Sequence, residues 1–342
     1  MKKENSYKVV QPNDYAYNPM NIRFGAVARY KGKKPVAVSG YYDVFTAIHK
    51  SDRAFMDFFL TCGPMITYYN KVSKGSLIEK QRVHFSDFME FSIELPPIEE
   101  RKEIAKILAT QDRVIELKKK LLEERLRQKK YLMRQLLTGK QRLPGFDGKW
   151  KNVKLSEVLL ERKEKNSGQN HRICSVAVKK GVVDQIEHLG RSYAAADTSN
   201  YGVAHYGDVI YTKSPSGEFP YGIVKQSQMK ESVAVSPLYG IFEPVNYELG
   251  YVLHTYFGYT INCSNYLLPI IQKGAKNTIN ITNGVFVSNC LYLPVDYKEQ
   301  KALAKVFITA DREIGLLRQN LEQEERKKKA LMQLLLTGIV RV

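Results

Sequence analysis

The residues best suited to catalysis are few and scattered. Cys62, Cys174, Cys263 and Cys290 stand far apart, with no C-x-x-C pair to seed a zinc site and no disulfide framework. Isolated thiols of this kind fit a reducing compartment. None of the six histidines meets another at the i, i+4 spacing of a helical metal pair. Glu116-Leu117-Lys118 and Glu161-Arg162-Lys163 match the E-x-K of some nucleases, but such triplets arise by chance in Lys/Glu-rich sequence. Asn18-Pro19-Met20-Asn21 begins like the N-P-P-aromatic site of amino-methyltransferases. It lacks the second proline and the aromatic that would stack on a base, and no glycine-rich loop for S-adenosylmethionine accompanies it. An enzyme acting alone on DNA would need that loop or an acidic metal cluster, and the sequence offers neither.

Binding chemistry is better represented. The net charge is +18, with 53 Lys and Arg against 35 Asp and Glu, and every segment of the chain is basic. A broad positive field suits a polyanion such as double-stranded DNA. Its rival is an anionic membrane surface, but no apolar run reaches the length that spans a bilayer and no signal peptide opens the sequence. Twenty-two tyrosines lie mostly outside the most charged stretches. Residues 213–221, Lys-Ser-Pro-Ser-Gly-Glu-Phe-Pro-Tyr, read as a loop decorated with hydroxyls and a lysine. The candidate DNA contacts there are Lys213, Ser214, Ser216 and Tyr221, joined by Lys273, Lys276 and Asn277 of a later basic turn. In the first part of the chain they are Arg23, Lys33 and Lys74. Each residue type is equally at home on a solvated turn.

What must position these loops is a helical segment that occurs twice, at 95–139 and 293–338. From Ala105 and Ala304 onward the copies superpose without a gap, 199 residues apart, and both end in Leu-Leu-Thr-Gly. Pro96-Pro97 and Pro294 mark the starts, and Gly139 and Gly338 the ends. Apolar residues recur every seventh position: Leu108, Ile115, Leu122 and Leu136, then Phe307, Ile314, Leu321 and Leu335. Lys129 and Lys328 interrupt the two series at the same step. Heptad spacing in a long helix implies a helical partner along it. Each rod of about 42 residues would be roughly 60 Å long, and two matched rods in one chain most simply pair antiparallel.

Between the rods the pattern is mixed. Residues 24–30 and 36–42 alternate as strands around Lys31-Gly32-Lys33-Lys34, 52–66 reads as one Phe-rich helix, and 88–95 as a strand. Residues 1–10 read as a frayed start. In the second half 155–164 and 247–259 read as helices, and 173–178, 203–211 and 222–224 as strands. Asn13-Asp14 corresponds to Gly207-Asp208, and Lys74-Gly75-Ser76 to Lys273-Gly274-Ala275, so one module is used twice. The second module has 58 residues from Trp150 to Asp208, whereas 13 precede Asp14. The first is therefore expected to lack its opening strands and helix.

Two variable modules, each followed by a near-identical long helix, resemble the specificity subunit of type I restriction–modification systems. The match is carried by Leu143-Pro144-Gly145-Phe146 with Trp150, by Gly207-Asp208, by Tyr15-Ala16-Tyr17-Asn18-Pro19-Met20, by Leu95-Pro96-Pro97 and by the Leu-Leu-Thr-Gly endings. The resemblance implies an α+β fold: two mixed target-recognition domains, 1–94 (shortened at its start) and 143–292, and two spacer helices, 95–142 and 293–342, paired as an antiparallel coiled coil. It implies a non-catalytic subunit in the cytoplasm that reads a bipartite DNA site. Two methyltransferase subunits would dock on its helices, and restriction subunits would join through the complex. S-adenosylmethionine and ATP would bind to the partners, with no cofactor on this chain. The competing expectations are a coiled-coil scaffold that binds only proteins, a silent or truncated subunit reading one half-site, and a DNA-modifying enzyme in its own right.

Overall fold

The computed structural model describes residues 7–77, 80–92, 94–167, 171–191, 197–273 and 279–342. The chain divides into two units, 1–122 with 317–342, and 123–316. Among the described residues no helix is long and apolar enough to cross a membrane.

In the first unit, β1 (Tyr7–Val10), β2 (Tyr15–Tyr17), β3 (Val27–Arg29), β4 (Val36–Ser39) and β5 (Asp43–Phe45) precede three helices. These are α1 (Arg53–Phe59), α2 (Gly63–Val72) and α3 (Phe85–Met89), and the long α4 (Ile98–Leu136) follows. β1 pairs with β4, and β2 lies between β3 and β5, all antiparallel. The aromatic side chains of β2 point inward: Tyr15 and Tyr17 are buried, and Tyr17 stacks on Phe88 of α3 with centroids 5.2 Å apart.

The second unit opens with β6 (Lys151–Lys154), β7 (Leu159–Glu161), β8 (Arg172–Ala177), β9 (Gly181–Asp184) and α5 (Gln185–Leu189). Then come β10 (Gly202–Ala204), β11 (Val209–Tyr211), β12 (Val224–Gln226), β13 (Val233–Val235) and β14 (Gly240–Pro244). α6 (Tyr247–Phe257), α7 (Thr260–Leu267), β15 (Gln272–Lys273), β16 (Ile279–Asn280), α8 (Asn283–Ser288) and β17 (Cys290–Leu293) lead to α9 (Tyr297–Leu336). Two four-stranded sheets run β10-β13-β8-β9 and β12-β11-β14-β7, and β17 pairs with β6. β10, β11 and β13 are wholly apolar and buried, as expected of strands covered on both faces.

The internal repeat holds at the level of single bonds. Asn13 and Gly207 both take left-handed backbone, with φ of 75° and 91°. The aspartates that follow, Asp14 and Asp208, each accept from the backbone N–H three residues earlier, at 2.9 Å from Gln11 and 2.8 Å from His205. β2 and β11 then begin, each the centre of its ladder. Tyr211 stacks on Phe286 as Tyr17 does on Phe88.

The long helices meet as the heptads require. Leu108, Ile115 and Leu335 are buried in the first unit, and Leu136, Phe307 and Ile314 in the second. In the first unit Lys118 reaches Glu324 at 2.8 Å and Lys328 reaches Asp112 at 2.6 Å. In the second, Arg125 pairs with Glu313 at 2.7 Å, and Lys129 with Asp311. Rising numbers on one helix meet falling numbers on the other, so the helices pair antiparallel within each unit. The two lysines that break the heptads are thereby explained: each meets the aspartate at the corresponding place of the opposite helix. Gly139 and Gly338 close the helices at φ of 68° and 71°, the left-handed cap.

Several local expectations fail. Residues 155–164 form a 3-10 turn, Leu155–Glu157, and then β7. Leu155 and Leu159 have helical spacing, but pairing to β14 wins. Residues 88–95 carry no strand among those described. Phe85 and Phe88, three apart, pack as a helical face, and among the described residues the first unit shows no counterpart of β6 to pair with. The single helix over 52–66 is two helices, α2 being opened by Pro64. Residues 203–211 are two strands broken at Gly207, the strand expected at 222–224 begins at Val224, and 7–10 form β1.

Candidate nucleic-acid interface

In the second unit the connection from β11 to β12 is a braced loop. Thr212 N–H donates to Ile223 O at 3.0 Å, and Ile223 N–H returns to Thr212 Oγ1 at 3.1 Å. The buried Tyr211 donates its hydroxyl to Tyr221 O at 2.7 Å. Ser216 and Phe219 exchange both backbone bonds at 3.0 Å, and Phe219 is buried as the anchor. Ser214, Pro215, Gly217, Glu218 and Pro220 remain exposed. Lys213 takes left-handed backbone, φ 60°, and is half-buried, and burial holds its ammonium below the usual lysine range. A short polar edge held this firmly loses little freedom on meeting a ligand.

The turn at the base of β11 is clamped. Asp208 is buried and accepts from Arg162 Nε at 2.7 Å and Nη2 at 3.1 Å. Glu243 adds a contact to the same guanidinium at 3.0 Å. The bond to Asp208 outweighs burial and raises the arginine's pKa, so Arg162 is a brace already spent within the protein.

The first unit places its corresponding loop between β2 and β3. Asn18 Oδ1 accepts from Met20 N–H at 3.0 Å and Asn21 N–H at 3.2 Å, an Asx turn. A 3-10 turn over Ile22–Phe24 then leaves Phe24 75% exposed, with the Arg23 guanidinium 5.3 Å from its ring centroid. Arg23 itself is buried, bonded to Gln81, and its carbonyl accepts from Asn70 Nδ2 at 3.3 Å. It supports the loop from beneath. Phe24 was hidden in the sequence because 24–30 alternates like a strand. The only available signal was Gly25, whose φ of 85° ends the turn.

The remaining candidates fall at several places. Lys33 is exposed in the connection from β3 to β4. Lys74 bridges Arg82 through its backbone, and its ammonium pairs with Asp87 at 2.7 Å, which raises its pKa. Lys273 ends β15, in register with Ile279 of β16. Lys276 and Asn277 lie outside the described residues. Lys213, Ser214, Ser216 and Tyr221 therefore share one loop, and the other candidates share none with it. Lys179 and Lys180, exposed in the turn from β8 to β9, were not singled out in the sequence. No group of three or more His, Cys, Asp or Glu side chains that could hold a metal occurs among the described residues.

Residues 5–125 match the family described as type I restriction modification DNA specificity domain. The MjaVIII specificity subunit of a type I restriction enzyme from Methanocaldococcus jannaschii is 28% identical over 283 residues, covering 75% of this chain and 63% of that protein. A putative MjaX specificity subunit from the same organism is 24% identical over 345 residues, covering 93% and 76%. The crystal structure of a type I restriction–modification S subunit from M. genitalium has a TM-score of 0.60 at 11% identity, covering 95% of this chain and 83% of that one. The matches point the same way: residues 5–125 match the type I restriction modification DNA specificity domain, and the chain is similar in sequence to type I restriction enzyme specificity subunits and in fold to a solved S subunit.

Proposed function

We propose that the chain is the non-catalytic DNA-recognition subunit of a type I restriction–modification complex. The observation that carries this reading is the loop held at the same place in both units, after the central strand of each ladder, on a repeat that extends to single hydrogen bonds. On this reading residues 1–94 and 143–292 are target-recognition domains, and 95–142 and 293–342 are spacer helices. Ser214, Ser216 and neighbouring backbone groups of the second loop, and Phe24 in the first, approach base edges. Lysines such as Lys33, Lys179 and Lys180 grip phosphates and set the register. Two copies of one methyltransferase subunit bind the near-equivalent helical faces, and restriction subunits join through them. S-adenosylmethionine and ATP act on those partners, in the cytoplasm.

The test is selection from a randomised duplex library by the chain co-expressed with its methyltransferase subunit, at two salt concentrations. Enrichment of a split site with a fixed gap is expected. Weak binding without sequence preference, falling steeply with salt, would reduce the reading to phosphate contact. A second reading, one half-site read by the second unit alone, is favoured by the open strands of the first unit. It predicts enrichment of a single half-site.

A further inference from the structure

The loops after β2 and β11 place their phenylalanines in opposite ways. In the second unit Phe219 turns inward and is 5% exposed, and the residues left outside are Ser214, Pro215, Gly217, Glu218 and Pro220. In the first unit Phe24 stands outward at 75%, the most exposed aromatic side chain among the described residues. A lone exposed apolar residue is ordinary on a protein surface. What sets Phe24 apart is how firmly it is held. Its N–H donates to Asn21 O at 2.9 Å, and Gly25 N–H donates to Ile22 O at 2.8 Å, with Ile22 fully buried. Asn21 O accepts again from Ala26 N–H at 3.2 Å, and Asn18 N–H reaches Ala26 O at 3.2 Å, closing the neck of the loop. A ring fixed outward on such a loop has little freedom left to lose on meeting a ligand.

One face of that ring is already taken. The Arg23 guanidinium lies over it, 5.3 Å from the centroid, and Arg23 is held in turn by Gln81 and Asn70. The sequence neighbours of those two residues are cationic: Lys71, Lys80 and Arg82 are all exposed. A partner fitted to this place carries anionic groups around a small apolar one. Double-stranded DNA offers both, phosphates along the backbone and the C5-methyl group of thymine in the major groove.

The covered face also separates two uses of an exposed aromatic. A wedge driven between base pairs takes the place of a stacked base and meets a neighbour on each side. Phe24 has only one free face, which does not suit a wedge. One free face and an edge suit sideways contact with a methyl group. Resting on the DNA-reading role proposed above, we infer that Phe24 is a specificity-determining residue for thymine. Its free face packs on the C5-methyl of one thymine in the half-site of the first unit, and Lys71, Lys80 and Arg82 take the flanking phosphates. The second loop offers no exposed ring, and its half-site is read by polar contacts.

The test uses the full chain with its methyltransferase subunit and the duplex selected as above. Each thymine is replaced in turn by uracil, which removes the methyl group and keeps every hydrogen-bonding group. Binding is measured by competition with the unmodified duplex. At one thymine, uracil is expected to weaken binding roughly fourfold, the scale set by burying one apolar carbon. Phe24→Ala weakens binding to the thymine duplex by at least as much and removes the uracil effect at that position, because both changes delete the same contact. Phe24→Leu retains part of the effect. Phe24 lies outside the core, so neither substitution is expected to unfold the unit, and the uracil series needs no variant. Four results would overturn the inference. The first is a selected site with no thymine on either strand. The second is specific binding that is indifferent to every uracil. The third is a uracil effect that Phe24→Ala leaves intact, which would give the methyl group to another residue. The fourth is a loss with Phe24→Ala and none with uracil, which would point to stacking on a base. Absence of any sequence preference would instead overturn the DNA-reading role itself, and this inference with it.

Discussion

Gly222 has φ of 94°, and a Cβ there would lie 2.9 Å from both the Lys213 backbone nitrogen and Tyr211 Cε2. Only glycine lets the second loop close against its own start. Gly222→Ala is expected to cost the second unit about 2 kcal/mol through backbone strain and displaced neighbours, read by urea unfolding of the Trp150 signal. A cost near zero would mean the loop is not braced as described. Lys225 of β12 is buried beside Lys129 and Asp311, and burial first, then Lys129, pulls its ammonium down to about 8 from 10.5. His254 sits in the same place and accepts Gln226 N–H on Nδ1 at 3.0 Å. Burial and the two lysines hold its pKa well below the usual value, so it is neutral. Between pH 8 and 10.5 the unfolded chain binds the Lys225 proton and the folded chain does not, so stability rises with pH there and the penalty is fully present below that window. From about pH 7.5 to 9.5 the gain is about 2 kcal/mol. Lys225→Met is expected to flatten the rise in urea midpoint, and a flat wild-type profile would contradict the assignment. Little of this was legible in the sequence. The loop at 213–221 was, because Ser, Gly and Pro signal their own backbone. The burial of Arg23 was not, because it depends on Gln81 and Asn70, which approach only after folding.

At the scale of elements, the helices were the most legible part. Their period, proline starts and glycine ends are local properties, and the structure follows them over Ile98–Leu136 and Tyr297–Leu336. The short strands were read less well, since three residues are too few to show a period and each is selected by its ladder partner. The failure at 155–164 is of this kind. The helix ends also hold a comparison that sequence identity would miss. Arg142 and Glu299 form two bonds of 2.6 Å, and Trp150 adds a third donor to a carboxylate that is 3% exposed. Glu299→Ala removes one partner of a largely buried pair and orphans the indole N–H, which is expected to cost about 3 kcal/mol. The equivalent Glu100→Ala faces an Arg341 that is already in water and is expected to cost only a small part of that. Chemical denaturation of the two variants decides it. Equal losses would show that Trp150 adds nothing to the node.

At the scale of the whole chain, each unit has its own hydrophobic core, and they differ in size. The second gathers Trp150, the sheet strands, α6 to α8 and parts of both long helices. The first, built on Tyr15, Tyr17, Phe55, Met65 and Tyr69, holds about half as many buried apolar side chains and leaves Tyr7, Val9, Phe24 and Leu95 exposed. Burial of apolar surface is the main favourable term in folding, at about 25 cal/mol per Å². The first unit should therefore open at lower denaturant. The chain supplies its own reporter, because the only tryptophan, Trp150, is buried in the second unit. Far-ultraviolet circular dichroism reads both units. Its loss should begin at a lower urea concentration than the change in tryptophan fluorescence, since the two-state approximation fails where units differ in stability. Superposed transitions would mean that the long helices, each of which contributes residues to both cores, couple the units into one cooperative fold.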